Sequence, residues 1–186
     1  MACKGIAFIL FSCLFITSCK TVKKVIKEAG PESVPREGAA NSANSANSKT
    51  FTKPLKISRS EFVSYAKKFL GTPYRYGSSN PKNGFDCSGF ISHVLSHFNV
   101  KAPRSSVDFT NEGTTIDIRN AKPGEIILFT GSDNSSGSVG HMGIITSGGS
   151  SPQFIHSASG KNIGVILSNV TGYYKTHFVK VIRLLE

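Results

Sequence analysis

The apolar residues of this sequence change their spacing part-way along the chain, and this change limits the possible folds more than any other feature. Between residues 58 and 98, two apolar stripes recur at helical spacing, whereas after residue 123 short apolar runs alternate with turns rich in glycine and serine. Helices that precede strands in this way favour an α+β fold with an antiparallel sheet over alternating βαβ units. We therefore expect one α+β domain over residues 56–186.

The helices and strands of this domain can be placed from local signals. Ser58 and Glu61 form a capping box that predicts the start of the first helix, and Gly71 is a plausible stop. The second apolar stripe places Asp86 and Cys87 at the amino end of a second helix. A short helix is predicted over residues 104–111, and strands are predicted over residues 125–129, 140–146, 153–157, 165–167 and 177–184.

The amino-terminal segment is typical of exported proteins. A single lysine precedes an apolar run over residues 6–16 that is too short to span a bilayer, and Cys19 follows soon after it. Small residues directly before a cysteine resemble the lipobox of bacterial lipoproteins, which implies removal of residues 1–18 and attachment of lipid to Cys19. The expected location is then a membrane surface in the periplasm, at the outer membrane or at the cell surface. An ordinary secretory signal with an incidental cysteine is the alternative.

Residues 19–55 are predicted to be a flexible tether. They are polar and include the triplet Ala-Asn-Ser repeated three times over residues 40–48. Such a segment buries too little apolar surface to offset the entropy of ordering it.

The formal net charge of +11 favours contact with anionic polymers such as lipid headgroups, nucleic acid or an acidic cell wall. Export argues against nucleic acid, and the sequence has no strand that combines aromatic and basic residues as nucleic-acid-binding domains do. We expect no nucleic-acid partner and interpret most of the charge as a solvated surface.

The cysteine count points to Cys87. Cys3 and Cys13 lie in the predicted signal and Cys19 is the predicted lipid acceptor, so that Cys87 is the remaining free thiol. Thiols attack as thiolates, and the amino end of a helix favours negative charge. Cys87 is therefore a candidate nucleophile, with a buried and inert cysteine as the alternative.

Five histidines are available as the base that such a nucleophile needs. His141 and His156 lie among apolar residues of predicted strands that can be neighbours, so that one can face the sulfur while the other orients its ring. His93 and His97 have a spacing that can bind metal, but we expect them to be solvated or packed at an edge, and we expect His177 to be structural. No metal and no organic cofactor are expected.

Six short motifs follow one another over most of the predicted domain. They are Thr72-Pro73-Tyr74-Arg75-Tyr76-Gly77, Phe85-Asp86-Cys87-Ser88-Gly89-Phe90, Pro103-Arg104-Ser105-Ser106, Lys122-Pro123-Gly124-Glu125-Ile126-Ile127-Leu128-Phe129, Gly140-His141-Met142-Gly143-Ile144 and Phe154-Ile155-His156. Together, and in this order, they resemble the motifs of the NlpC family of bacterial cell-wall cysteine peptidases. The resemblance covers residues 58–186.

This resemblance implies a papain-like cysteine peptidase fold in which N-terminal helices pack on an antiparallel sheet. It implies that Cys87 is the nucleophile, that His141 is the general base and that His156 orients the base. Further residues that it implies near the oxyanion, the pocket or the substrate are Tyr74, Asp86, Ser88 and Ser105. A packing aromatic residue in a turn is the alternative interpretation of Tyr74.

The resemblance also implies a substrate, namely an amide bond in peptidoglycan stem peptides. The bond is either the one between γ-D-glutamate and the following diamino acid or the D,D cross-link between stems. The residue types by themselves indicate only a reaction class, namely acyl transfer from an amide or ester. An amidase or acyltransferase acting on another substrate is therefore an alternative. A non-catalytic lipoprotein that binds the cell wall is another. A monomer is expected.

Overall fold

The folded domain begins earlier than the sequence indicated. The structure is a computed structural model that describes residues 51–160 and 164–186. Within it Phe51 is buried in the core, and Leu55 forms a parallel bridge with Leu185. The predicted tether over 19–55 is therefore corrected at its end, because residues 51–55 pack on the domain. The predicted signal over 1–18, Cys19 and the rest of the tether lie outside the described residues.

The described chain contains three α-helices, two 3₁₀ helices and eight strands. The α-helices are α1 (Arg59–Lys67), α2 (Cys87–His97) and α3 (Gly172–Thr176), and the 3₁₀ helices are Val107–Asn111 and Ile118–Asn120. The strands are β1 (Ser79–Asn80), β2 (Gly84–Phe85), β3 (Thr114–Ile116), β4 (Ile126–Thr130), β5 (Val139–Ser147), β6 (Gln153–Ala158), β7 (Gly164–Asn169) and β8 (Phe178–Arg183). None of the helices within residues 51–160 and 164–186 is long and apolar enough to cross a membrane.

Six of the strands form one sheet in the order β3-β8-β4-β5-β6-β7, and each neighbouring pair is antiparallel. Strands β1 and β2 form a separate antiparallel pair just before α2. The predicted α+β arrangement, with helices first and an antiparallel sheet after them, is confirmed.

Two apolar clusters lie on opposite faces of the sheet. One face packs against α1 and α2, where Phe62 and Phe90 meet Ile144 and Ile155 in a buried cluster. The alternating residues of the same strands point the other way. They form a second cluster that contains Ile127, Phe129, Ile145, Phe154, Val170 and Val181. The helical half and the sheet are also joined by a hydrogen bond, because the buried hydroxyl of Ser157 donates to the carbonyl of Phe85 over 2.8 Å.

The first helix follows its predicted signals closely. The side chain of Ser58 accepts a hydrogen bond from the backbone N–H of Glu61, which confirms the predicted cap. The helix ends at Lys67, and the chain then makes tighter turns until Gly71, where φ is +84°. Gly71 is thus the point at which the chain turns away, as its missing Cβ allows.

A buried carboxylate ties α1 to the end of the chain. Glu125 is fully buried, and its Oε1 accepts a hydrogen bond from Nε of Arg183 over 2.6 Å. Arg59 on α1 lies 3.7 Å from the same oxygen and donates to the carbonyls of Leu185 and Glu186. Two cations therefore compensate one buried negative charge, as burial of a carboxylate requires.

Candidate active site

Cys87 is the first residue of α2, and its thiol is half-buried. Asp86 caps the helix, because its Oδ1 accepts a hydrogen bond from the N–H of Gly89 over 2.6 Å. Sγ lies 3.9 Å from the carbonyl oxygen of Gly140. The thiol therefore rests against the peptide that joins Gly140 to His141, so that the helix start and the start of β5 meet at one place.

Three glycines allow these segments to approach each other. A Cβ on Gly84 would lie 2.5 Å from the carbonyl oxygen of Pro73, and one on Gly89 would overlap the carbonyl of Ser78. A Cβ on Gly140 would lie 2.6 Å from Cα of Gly131. Gly84 and Gly89 thus let other backbone come close on the helical side, and Gly140 adds a third crossing on the sheet side of the site.

The two predicted histidines are brought together. Nε2 of His141 and Nδ1 of His156 are 2.8 Å apart, and the two rings are nearly perpendicular at 82°. His156 is fully buried, whereas His141 is half-buried. Within residues 51–160 and 164–186, no hydrogen bond is made to Nδ1 of His141. That nitrogen is the one available to take a proton.

The hydrogen bonds continue on the far side of His156. Its Nε2 lies 3.0 Å from Oγ of Ser168 on β7 and 3.3 Å from the hydroxyl of Tyr174 on α3. Sequence reasoning missed both hydroxyls. The pairing of β6 with β7 would have placed Ser168 near β6, but α3 is too short to show a periodic stripe that would have indicated Tyr174.

Burial sets the protonation of the thiol and the imidazoles. It raises the pKa of Cys87, an effect that the charge of Asp86 reinforces, while the backbone N–H of Ser88 and the guanidinium of Arg104 act in the opposite direction. It lowers the pKa of His141 to about 4 and that of His156 to about 3. At neutral pH the thiol and both rings are therefore uncharged. The expectation that the helix start favours a thiolate is outweighed by burial and by the capping carboxylate.

Arg104 is the charged residue that the sequence analysis missed. It donates through Nη1 to Oδ1 of Asp86 over 3.0 Å and through Nη2 to Oδ2 over 2.7 Å. A signal was present, because Asp86 is a carboxylate that the resemblance implies near the pocket and Arg104 stands beside Ser105 in one of the six motifs. Ser88 completes this group, since its hydroxyl donates to Oδ1 of Asp86 and accepts from Arg104.

Of the remaining predicted residues, Tyr74 lies close enough to the thiol for the charge of Cys87 to affect the pKa of its hydroxyl, and Ser105 does not join the cluster. The backbone of Tyr74 pairs with Phe85, and burial raises the pKa of its hydroxyl, with the charges of Cys87 and Asp86 acting in the same direction. Ser105 is exposed, and its side chain makes no hydrogen bond with any residue that the structure describes. Its predicted contact with substrate stays a prediction.

The other histidines have structural surroundings. His97 is exposed and stacks on the ring of Tyr65 at 3.6 Å between centroids, while His93 packs edge-on against Phe69. This confirms that the two are packed at an edge. His177 is buried and structural, but it has polar partners that the sequence did not indicate. Its Nδ1 lies 2.8 Å from the carbonyl of Tyr173 and 3.1 Å from the hydroxyl of Thr176.

Comparison with known proteins decides the family. The model of the NlpC/P60 family matches residues 71–183, which include the thiol, both histidines and the sheet. The chain belongs to the NlpC/P60 family. This confirms the resemblance stated from the six motifs.

Two bacterial relatives illustrate what the chain is similar to. It is 41% identical over 108 residues to the gamma-DL-glutamyl hydrolase of Bacillus subtilis strain 168, an alignment that covers 58% of this chain and 25% of that protein. It is 30% identical over 131 residues to the murein DD-endopeptidase MepS/murein LD-carboxypeptidase of Escherichia coli K12, covering 69% of this chain and 64% of the relative. The chain thus spans between a quarter and about two thirds of the length of these relatives.

Solved structures of the family have the same fold. The crystal structure of an NlpC/P60 family protein from Bacillus cereus ATCC 10987 superimposes with a TM-score of 0.63 and is 26% identical. The match covers 71% of this chain and 42% of that one. The predicted papain-like α+β fold, with helices packed on an antiparallel sheet, is confirmed.

Proposed function

We propose that this NlpC/P60 protein is a cysteine peptidase that hydrolyses an amide bond in peptidoglycan stem peptides. The observation that carries the proposal is the meeting of three elements: Cys87 at the start of α2, His141 at the start of β5 and His156 on β6. The sulfur lies 3.9 Å from the carbonyl that precedes His141, and the two imidazoles are 2.8 Å apart. A nucleophile, a base and an orienting group in this order suit acyl transfer.

The reaction begins with the neutral thiol and the neutral imidazole. Sγ attacks the carbonyl carbon of the substrate while Nδ1 of His141 takes the thiol proton, which forms a tetrahedral oxyanion and an imidazolium. The hydroxyl of Tyr74 and the backbone N–H groups at the start of α2 stabilise the oxyanion. His156 accepts the Nε2–H of the imidazolium, which keeps the ring oriented and stabilises its charge.

The intermediate then breaks down in two stages. The carbon–nitrogen bond breaks, the imidazolium gives its proton to the leaving amine, and a thioester to Cys87 remains. His141 next removes a proton from water, which attacks the thioester. The released carboxylic acid and the regenerated thiol complete the cycle without any metal or organic cofactor.

The names of the relatives support this substrate class. One is a gamma-DL-glutamyl hydrolase and another is a murein DD-endopeptidase. We propose the bond between γ-D-glutamate and the diamino acid as the site of cleavage, with the D,D cross-link as the second candidate. The net charge of +11 suits an enzyme that works on an anionic wall.

We further propose that lipid on Cys19 holds the enzyme at a membrane surface. The support is the apolar run over residues 6–16 followed by Thr17, Ser18 and Cys19. The full-length protein should incorporate labelled palmitate when expressed in bacteria, Cys19→Ala should lose the label, and Cys13→Ala should retain it. Equal labelling of the Cys19→Ala variant would contradict the anchor.

The hydrolase proposal is tested by digestion of purified peptidoglycan. The wild-type protein should release muropeptide fragments, Cys87→Ala should release none, and His97→Asn, which removes an exposed histidine on the same helix, should behave as wild type. Masses of products from defined stem peptides separate γ-D-glutamyl cleavage from D,D cleavage. Undiminished release by Cys87→Ala would contradict the proposal.

A further inference from the structure

We propose that a cavity beside α3 is a second binding site for the acidic stem peptide of peptidoglycan, separate from the site that cuts it. The proposal rests on the proposed function, from which it takes the identity of the ligand. None of the residues that line the cavity belongs to the thiol and imidazole group. The proposal therefore assigns a task to a part of the domain that the proposed chemistry does not use.

The cavity, called here the α3 cavity, has a volume of about 620 Å³. It lies between the 3₁₀ helix Ile118–Asn120, the turn 149–152 that joins β5 to β6, residues 170–175 at and before α3, and the start of β8. Volumes of about 300–1,000 Å³ are usual for sites that bind small organic ligands. The α3 cavity is therefore large enough for a short peptide.

The floor of the α3 cavity is apolar. Pro152 and Val170 are buried, and Ile118 and Phe178 are half-buried. Val170 is a member of the second apolar cluster of the sheet, and Ile118 and Phe178 pack against that cluster. The packed sheet thus holds the floor in place, and the floor suits small apolar groups such as the methyl group of alanine.

The rim of the α3 cavity carries positive charge. Lys175 and Arg119 are both exposed and both line it, and none of the lining residues that the structure describes is acidic. Lys175 forms no ion pair within residues 51–160 and 164–186. Arg119 is held through Nε and Nη2 by Asp117, which leaves its Nη1 without a hydrogen bond to any described residue. The rim therefore favours an anionic ligand.

Three hydroxyl groups add hydrogen-bonding capacity to the α3 cavity. They belong to Ser150, Ser151 and Thr171, which are exposed and line it. None of these hydroxyls makes a hydrogen bond with another residue of the described chain. All three are therefore available to donate to a carboxylate or to bind a peptide group of a ligand.

The stem peptide fits the charge and the apolar floor together. Its glutamate is linked through the γ-carboxyl group, so the α-carboxylate of that residue stays free, and further carboxylate belongs to the residues that follow. The alanine that precedes the glutamate supplies a methyl group. A ligand of this kind places its carboxylates at the cationic rim and its methyl group on the floor.

Helix α3 connects the α3 cavity with the catalytic group. Lys175 lines the cavity, while the hydroxyl of the preceding residue, Tyr174, lies 3.3 Å from Nε2 of His156. One short helix therefore has a residue at each site. A wall strand carries many stems, so a strand that is held by one stem at the α3 cavity keeps other stems at a high local concentration near Cys87.

This arrangement predicts different kinetics on polymer and on a single stem. The double variant Arg119→Gln with Lys175→Gln should raise KM for polymeric peptidoglycan several-fold and leave kcat unchanged. It should cut a defined single stem peptide as wild type does, because one stem cannot occupy both sites. A merely structural role of the two cations would change both substrates alike.

Direct binding is tested by NMR titration of the Cys87→Ala protein with the free tripeptide L-alanyl-γ-D-glutamyl-diaminopimelate. The amide signals of Gly149 and Val170 should move with the peptide concentration. Their saturation curve should be separate from that of the amides of Gly140 and His141 at the catalytic group. Amidation of the carboxylates of the peptide should weaken binding at the α3 cavity about tenfold.

The variants separate the local charge from the net charge. In the Cys87→Ala background, Arg119→Gln with Lys175→Gln should weaken binding at the α3 cavity about tenfold. The control is Lys67→Gln with Lys101→Gln, which removes the same charge from exposed positions in the helical half and should bind the peptide unchanged. The same spectra establish that each variant is folded.

Three results would overturn the proposal. They are amide signals at Gly149 and Val170 that do not move at millimolar peptide, equal binding by the rim variant and its control, and signals that move only with phosphatidylglycerol vesicles, which would make the site a lipid site. The titration uses protein that cannot cut. A wild-type protein that binds the peptide but fails to cut peptidoglycan would therefore overturn the proposed function and support the second site.

Discussion

Arg104 holds both carboxylate oxygens of Asp86, the residue directly before the thiol, at 3.0 and 2.7 Å. Oδ1 of Asp86 also accepts from Gly89 and Ser88 and so has no capacity left for a substrate amine in this arrangement. The pair acts on Cys87 with opposite signs, because the carboxylate raises the pKa of the thiol and the guanidinium lowers it. Asp86 therefore caps the helix and, together with Arg104, influences the pKa of the nucleophile.

We expect Asp86→Asn and Arg104→Gln to shift the pKa of the Cys87 thiol in opposite directions. Asparagine keeps an oxygen for the helix cap but removes the charge, so the pKa of Cys87 should fall, whereas loss of Arg104 should raise it. The rate of alkylation by iodoacetamide as a function of pH measures both changes. Asp117→Asn, in the exposed pair with Arg119, is the matched control and should leave the profile unchanged. A shift of the same sign in both test variants would be inconsistent with this account.

Gly140→Ala should disturb the site far more than Gly131→Ala. The new Cβ at 140 would lie 2.6 Å from the backbone of Gly131, but a Cβ at 131 would meet only Cα of Gly140 at 3.8 Å, an ordinary contact. Relief of the first clash requires the two backbones to separate, and we expect this to displace the peptide that joins Gly140 to His141, against which the thiol lies. We expect a loss of at least about tenfold in kcat/KM for Gly140→Ala, since small misplacements of reacting groups are costly. Equal activities of the two variants would show that this crossing does not position the base.

The buried imidazole of His156 should make stability depend on pH. Its pKa is lowered from 6.5 to about 3, so between these pH values the unfolded chain binds a proton at His156 that the folded protein does not bind. The free energy of unfolding should therefore decrease as the pH falls from 6.5 toward 3. Urea unfolding at pH 7 and pH 5 should show a decrease that is smaller in His156→Asn by about 2 kcal/mol. Identical decreases in the variant and in wild type would mean that His156 is not buried as a neutral ring.

Glu125→Gln should lower the free energy of unfolding of the domain without changing the reactivity of the Cys87 thiol. The substitution leaves Arg183 and Arg59 beside a buried neutral amide, and such a loss typically costs about 3–5 kcal/mol. Urea unfolding should report the loss, and the pH profile of Cys87 alkylation should stay as in wild type. The exposed pair of Asp117 and Arg119 is the comparison, since breaking it should leave the free energy of unfolding nearly unchanged. A neutral effect of Glu125→Gln would contradict the role given to this buried pair.

The parts of the fold that the sequence predicted are those with a strong local pattern. The cap at Ser58, the apolar stripe of α2 and the strands β4 to β8, which have five to nine residues each, carry local signals that tertiary packing reinforces. The short elements could not be predicted from the sequence. Strands β1 and β2 have two residues each, α3 has five, and the predicted helix over 104–111 is a 3₁₀ helix at Val107–Asn111. Elements of this size are fixed by the contacts around them and carry no pattern of their own.

The parts of the candidate site that could be predicted are those formed by cysteine and histidine, which have few roles in proteins. A single thiol at the start of a helix and two histidines on neighbouring strands left little choice, and the structure brings His141 and His156 into contact. The hydroxyls of Ser168 and Tyr174 could not be found in this way, because serine and tyrosine are common at surfaces and only the folded geometry aims them at Nε2. The direction of the pKa shift of the thiol could likewise not be predicted, since it depends on how deeply the start of α2 is buried.

The hydrogen bond from Ser157 to Phe85 links the two halves of the site through residues that adjoin His156 on one side and the cap of Cys87 on the other. This bond of 2.8 Å lies within two residues of both His156 and Cys87, and it adds to the apolar packing that aligns α2 with the sheet. The position of the sulfur relative to the imidazoles therefore depends in part on a serine that takes no part in the proposed chemistry.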